Sequence, residues 1–467
     1  MIGFSSWSLQ NIQRPCTGRR RFPPPDAGGQ QKKIQRKIRL IGAVLTAGTI
    51  SPGVLPLTDA DNLSTFHCQR QIRPFLYFLL LRTRMTRYFN PFRPVCFYCI
   101  LFLLTAFIAC PAASLAADND TSKSTLSPQV EQALDALLAA ANAQSSPKEQ
   151  DVTSLLRFVA QAHAQKAEKV VPGDRQGKGA FYTAQLSLPL RKLMSYLLTP
   201  GIPGEALYPV SVRHNHWEPG SAIFKDSARL IDAPFPPAAP VSLRGIELEE
   251  TTPDTSSGCF YRYKLNRLFV LAAIDGRTAL ICVSVMPGKS SIGKKGLIVD
   301  ESNWRYVYTA EQGTNLSMLG WAETQIYASS GITIYMENAA GGTKTDVAMF
   351  KWTRAGWSGM NVVKASHIKA GIKRFIKGLR QVVESPRCPS PAAIVAEAAR
   401  LQKLDDNALR ALLADEAKVL ATSKAEGLDD APYSDAVKDG RYASTLQHEA
   451  LCAEAVKLWM RKQILGR

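Results

Sequence analysis

Three features of the 467-residue sequence predict an α+β fold. Short alternating segments between 173 and 357 lie too close together for helical crossovers, so they pair antiparallel. Asp275-Gly276 joins two long apolar runs, a strong hairpin signal. An amphipathic helical run at 364–384 follows the last strand. The expected architecture is an antiparallel sheet packed on a long C-terminal helix, with helical extensions before and after.

The chain opens with 1–84, where "GRRRFPPPDAGG" and "QKKIQRKIRLIG" show neither helical nor strand period. We expect this segment to be upstream, mis-assigned translation; a cytoplasmic tail before a signal anchor is the alternative. Residues 85–116 form a signal peptide in pattern. Arg87 and Arg93 make a basic head, 95–110 is apolar, and Ser114 and Ala116 sit at small-x-small spacing. The apolar run has sixteen residues, short of the roughly 20 a spanning helix needs. Cleavage after Ala116 is expected, with lipid attachment at Cys110 or an uncleaved anchor as alternatives. The protein would then be exported, and periplasmic in a Gram-negative cell.

This start decides the charge. Residues 1–116 hold 15 of the 57 Lys and Arg but only 3 of the 39 Asp and Glu, so 42 basic face 36 acidic residues downstream. The formal +18 falls to +6, which removes the charge argument for a nucleic-acid partner. Four of nine cysteines remain: Cys259, Cys282, Cys388 and Cys452. An exported compartment permits disulfides, with Cys388–Cys452 and Cys259–Cys282 as the candidate pairs. A continuous strand would put Cys259 far along the ladder from Cys282, so the second pair requires a bend within 261–267.

Residues 117–172 read as a helical hairpin. Ser127 is a candidate N-cap with Pro128 in the first turn. Val130, Leu134, Leu137 and Leu138 form one apolar stripe; Val152, Leu155, Leu156 and Val159 form another. Residues 173–385 form the α+β domain. "AFYTAQLSL" and "PVSVRHNHW" alternate like strands around the short helix "PLRKLMSYLL". "KGLIVD", "NWRYVYTAE", "LGWAETQIYA", "GITIYMENA" and "TDVAMFKWT" add strands after the Asp275-Gly276 hairpin. On the closing helix, Ile368, Ile372, Phe375, Ile376 and Leu379 make the apolar face. Lys369, Lys373, Arg374, Lys377 and Arg380 make the other, which could touch anionic headgroups. Residues 386–467 are helical again and carry no catalytic constellation.

The order of a short early helix, antiparallel strands and a long closing helix resembles the START/polyketide-cyclase-type helix-grip fold over about 173–384. "LPLRKLMSYLLTPGIPGEALYPVSVR" and "AGWSGMNVVKASHIKAGIKRFIKGLRQVVE" carry the resemblance by order and pattern. The 221–250 stretch departs from a minimal version of that fold. The resemblance implies a curved sheet wrapping the helix around an apolar cavity, and the binding or carriage of a lipid or other apolar molecule. Candidate lining residues are Phe269, Leu271, Ile281 and Val283 from the hairpin. Tyr306, Tyr308, Trp321, Tyr327 and Tyr335 are candidates from later strands, and Ile372, Phe375 and Leu379 from the helix.

Catalytic readings have less support. His214 and His216 would share a strand face with Glu218, a possible three-ligand zinc site and the basis of an alternative reading as a metal-dependent hydrolase. "PGKSSIGKKG" imitates a phosphate loop, but Lys295 stands where Ser or Thr should meet Mg²⁺. Ser358 lies between turn residues with no motif to supply a base. A non-catalytic carrier without a cofactor is the leading expectation, and an adaptor working through the helical arms is a further alternative.

Overall fold

Period-two alternation becomes a seven-stranded sheet in the computed structural model. It describes residues 123–143, 145–165, 170–253, 258–307, 315–316, 320–321, 323–339, 341–422 and 437–466. All of them belong to one compact unit, Leu115–Arg467. The upstream segment, the signal-peptide pattern and Tyr308 lie outside the described residues, as do the cleavage position at Ala116 and Cys110.

Helices α1 (Pro128–Asn142) and α2 (Glu149–Ala164) lead the described chain. The Ser127 hydroxyl accepts the Val130 N–H, closing one of the four unpaired donors at the start of α1. Strand β1 (Lys178–Leu186) follows, then short helices α3 (Leu190–Leu197) and α4 (Gly204–Leu207), then β2 (Val212–Trp217). The 221–250 stretch folds as α5 (Ala222–Asp226), α6 (Ala228–Ile231) and most of β3 (Val241–Thr251). After β4 (Cys259–Phe260) comes the hairpin β5 (Arg262–Ile274) and β6 (Arg277–Val285). Its turn residues Asp275 and Gly276 have φ of 50° and 75°, the left-handed values that a type I′ turn requires.

Two-residue strands β7 (Lys294–Lys295), β8 (Ile298–Val299), β9 (Tyr306–Val307), β10 (Asn315–Leu316) and β11 (Gly320–Trp321) join only small side ladders. Strands β12 (Thr324–Glu337) and β13 (Thr345–Trp357) complete the main sheet. The sequence predicts two strands over 319–339. They form one, because ladders on both sides carry β12 through Gly331 and past a bulge at Ile326–Ala328. Helices α7 (Ala365–Val383), α8 (Pro391–Gln402), α9 (Asp406–Thr422) and α10 (His448–Leu465) finish the chain, with a 3-10 turn at Tyr442–Thr445. No helix among the described residues is long and apolar enough to cross a membrane.

The sheet order is β1-β13-β12-β6-β5-β3-β2, with every neighbouring pair antiparallel. The first strand pairs with the last, Phe181 opposite Phe350, and the sheet stays open at β1 and β2. Both faces are covered. Leu268, Ile281, Ile332 and Phe350 pack with Leu134, Leu137, Leu155 and Leu156 of the hairpin. Those four leucines are fully buried, worth roughly 1.5–3 kcal/mol each. The opposite face sets Phe269, Leu271, Leu280, Tyr335 and Val347 against Ile372, Ile376 and Leu379 of α7. That core continues into α8, α9 and α10 through Ile394, Leu409 and Leu451. The described helices on both sides of the central domain therefore share cores with it.

Candidate functional site

Three rows of side chains cross the sheet face beneath α7. The first is Leu271, Leu280, Tyr335 and Val347; the second is Phe269, Cys282, Thr333 and Met349. Both are mainly apolar. The third row is Arg267, Ser284, Gly331 and Lys351, which places a cation at each end of two small residues. Phe375 of α7 stacks on Tyr208, with centroids 4.3 Å apart, and Tyr208 packs in the same core as Tyr335. Three aromatic side chains thus link α7 to the sheet at the edge of the apolar rows.

The third row is electrostatically unsettled. Arg267 pairs with Glu247 at 3.1 Å, yet its Nε–H has no hydrogen-bond partner. The Lys351 ammonium makes no hydrogen bond or ion pair with any described residue. Its Cδ lies 3.2 Å from the position a Cβ on Gly331 would take, so the stem lies across the glycine. Burial pushes the Lys351 ammonium down, and the Arg267 charge adds to this while Glu249 opposes it. Burial also pushes the Glu247 carboxyl up against the pull of Arg267, and Asn215 donates an amide N–H to it. Glu249 accepts the Tyr263 hydroxyl at 2.6 Å.

Of the expected lining residues, Phe269, Leu271, Tyr335, Ile372 and Leu379 belong to this core, and Phe375 and Tyr306 pack at its margin. Ile281 and Val283 do not: they face the hairpin on the opposite side of the sheet. A two-residue period separates them from Leu280 and Cys282 but does not say which set meets α7. Tyr327 also departs, because the β12 bulge turns it outward, where its hydroxyl accepts the Gly359 N–H at 2.8 Å. The Tyr306 hydroxyl donates to Glu454 of α10 and accepts from Lys457 at 2.7 Å. Only the backbone of Trp321 is described.

The expected zinc ligands do not converge. The His214 and His216 rings are 5.6 Å apart, but Glu218 lies past the end of β2 and pairs with Lys264 at 2.5 Å. His214 sits between Glu205 at 3.5 Å and Glu449 at 3.9 Å. Among the described residues no group of three or more His, Cys, Asp or Glu side chains is placed to hold a metal ion. The disulfide expectations are corrected too, since no disulfide joins Cys259, Cys282, Cys388 or Cys452. Cys259 packs with Tyr261, Tyr263 and Met286, whereas Cys282 belongs to the core under α7. Cys388 sits against the Pro389 carbonyl at 3.6 Å and Cys452 against the Leu401 carbonyl at 3.8 Å.

The cationic face of α7 is engaged largely within the protein. Lys377 and Arg374 pair with Glu301 at 2.9 and 3.4 Å. Arg380 donates to the Gln185 carbonyl at 2.8 Å, and the Lys373 ammonium lies 5.3 Å from the Tyr182 ring centre. Lys369 is half-buried.

One constellation has no signature in the linear sequence. Cys452 Sγ is 3.6 Å from His448 Nε2, and His448 Nδ1 is 2.8 Å from Asp406 Oδ1. Nucleophile, base and orienting acid stand in the order a thiol hydrolase uses. The surroundings oppose activation. Burial raises the Cys452 thiol, and the charges of Asp406, Glu205 and Glu449 raise it further. A neutral thiol against the Leu401 carbonyl ties α10 to α8 and is a poor nucleophile.

No family model matches the chain, and no curated protein matches it significantly.

Proposed function

We propose that this is an exported, non-catalytic binding or carrier protein for a lipid or other apolar small molecule, held between the sheet and α7. One observation carries the reading. Two mainly apolar rows of the sheet face α7, and beside them Arg267 and Lys351 are only partly buried; the Arg267 side chain keeps 22% of its surface. Apolar rows with a few placed polar groups are the usual lining of a small-molecule site. The helix-grip resemblance agrees, since it implies a cavity in that place.

Native mass spectrometry of protein purified from its exported compartment tests the proposal. An apolar molecule released on denaturation is the expected result. Protein carrying a stoichiometric metal and no lipid would overturn it.

A further inference from the structure

We infer that the bound molecule is an amphipathic carboxylate, its anionic head held by Lys351 and Arg267 and its apolar body lying along the two rows above them. This rests on the carrier reading and specifies the ligand class. The chemistry follows from the inventory of donors on the third row. The Lys351 ammonium has no hydrogen bond or ion pair among the described residues, and Arg267 Nε–H is buried and unpartnered. The half-buried Lys351 ammonium feels the charge of Glu249 but forms no direct ion pair with it, so an anion can still take that place.

The row is shaped for such a head. Adjacent strands are about 4.8 Å apart, so three strand steps from β5 to β13 separate the Arg267 and Lys351 backbones by roughly 14 Å. Ser284 and Gly331 fill the steps between them with the least side chain. Two long side chains extending from the ends of the row can meet one small anion above that gap. The Lys351 stem already lies against Gly331, and the Ser284 hydroxyl is near the Gly331 carbonyl at 3.5 Å.

The two carboxylates nearby do not replace the ligand. Glu247 is already shared between Asn215 and the Arg267 terminal nitrogen. Glu249 accepts from Tyr263 and forms no ion pair with Lys351. A carboxylate can accept from an ammonium and a guanidinium N–H at once, through charge-assisted bonds stronger than neutral ones. Phe269, Tyr335 and Phe375 border the route for the apolar body. A neutral lipid would leave both donors unpaired.

Titrating the full, purified protein with matched pairs of probes tests this, with intrinsic tryptophan fluorescence or calorimetry as readout. The pairs are octanoate and octanol, dodecanoate and dodecanol, and hexadecanoate and hexadecanol. We expect the best-fitting acid to bind roughly tenfold or more tightly than its alcohol at neutral pH. Lys351→Met should bring the ratio of acid to alcohol affinity down to about one, and Lys351→Arg should retain the preference. Circular dichroism melts of both variants separate a lost preference from a lost fold. Equal binding of acid and alcohol by the natural protein would overturn the carboxylate inference and leave the carrier reading standing. An acid preference that survives in a folded Lys351→Met would overturn the role of Lys351. Binding of no acid or alcohol at all would overturn both readings.

Discussion

The Phe375 ring stacks on Tyr208 with centroids 4.3 Å apart and planes 15° from parallel. Tyr208 in turn packs in the same core as Tyr335 of β12. This chain of aromatics holds α7 against the sheet from one side of the apolar rows. Phe375→Ala should therefore lower stability by about 3 kcal/mol, and Phe375→Leu by less than roughly 1.5 kcal/mol. Urea unfolding followed by circular dichroism measures both. A neutral Phe375→Ala would mean that the stack does not hold the helix.

The leading hairpin should behave as part of the domain. Leu155 has no exposed surface and lies in the core shared by α1, α2 and the sheet. Leu155→Ala is expected to cost about 2–5 kcal/mol in a single cooperative transition. A separate early transition, with the sheet signal unchanged, would show that the hairpin folds apart.

His214 should make stability depend on acid pH. Burial favours its neutral form, but the Glu205 carboxylate 3.5 Å away and the charges of Glu449 and Glu250 outweigh burial and raise its pKa. The unfolded value is about 6.5. The charged ring therefore stabilises the fold fully below that value, and the contribution is lost as pH rises through the folded value. His214→Gln should be destabilising in acid and close to neutral in effect at alkaline pH. A pH series of urea midpoints reads this; an offset independent of pH would contradict it.

The thiols should be unbridged and Cys282 inert. Burial pushes the Cys282 thiol up to about 12. Its thiolate fraction at pH 7 is then about a thousandfold or more below that of an ordinary cysteine with a pKa of about 8.5. Under denaturing, non-reducing conditions, a chain beginning after Ala116 should titrate four free thiols. Two titrated thiols would reveal a disulfide.

Intact mass and N-terminal sequencing of the exported protein should give Ala117 as the first residue. Retention of Met1 would refute the signal-peptide expectation, and a lipid-modified Cys110 would shift the assignment to the lipoprotein alternative.

Much of the fold was legible in local signals. Asp275-Gly276 specified a turn because its φ values are restricted, and Ser127-Pro128 marked the start of α1 for the same kind of local reason. The candidate site was less legible. Ile281 and Val283 read like lining because both faces of β6 are apolar, one meeting the hairpin and the other α7. Lys351 in "TDVAMFKWT" and Arg267 in "NRLFVL" each interrupt an apolar strand, but nothing local sets them apart from ordinary strand charges. That interruption was the signal available.

The sequence by itself determined the class of fold, the hairpin turn and the order of the helices, because periodicity and backbone restriction act over a few residues. Tertiary structure alone decided which alternating set faces α7, that Glu218 pairs with Lys264, and that Lys351 and Arg267 share a row. Those outcomes depend on strand pairing between residues as distant as Arg267 and Lys351. Pairing is fixed by the burial of whole faces, which no short window of sequence contains.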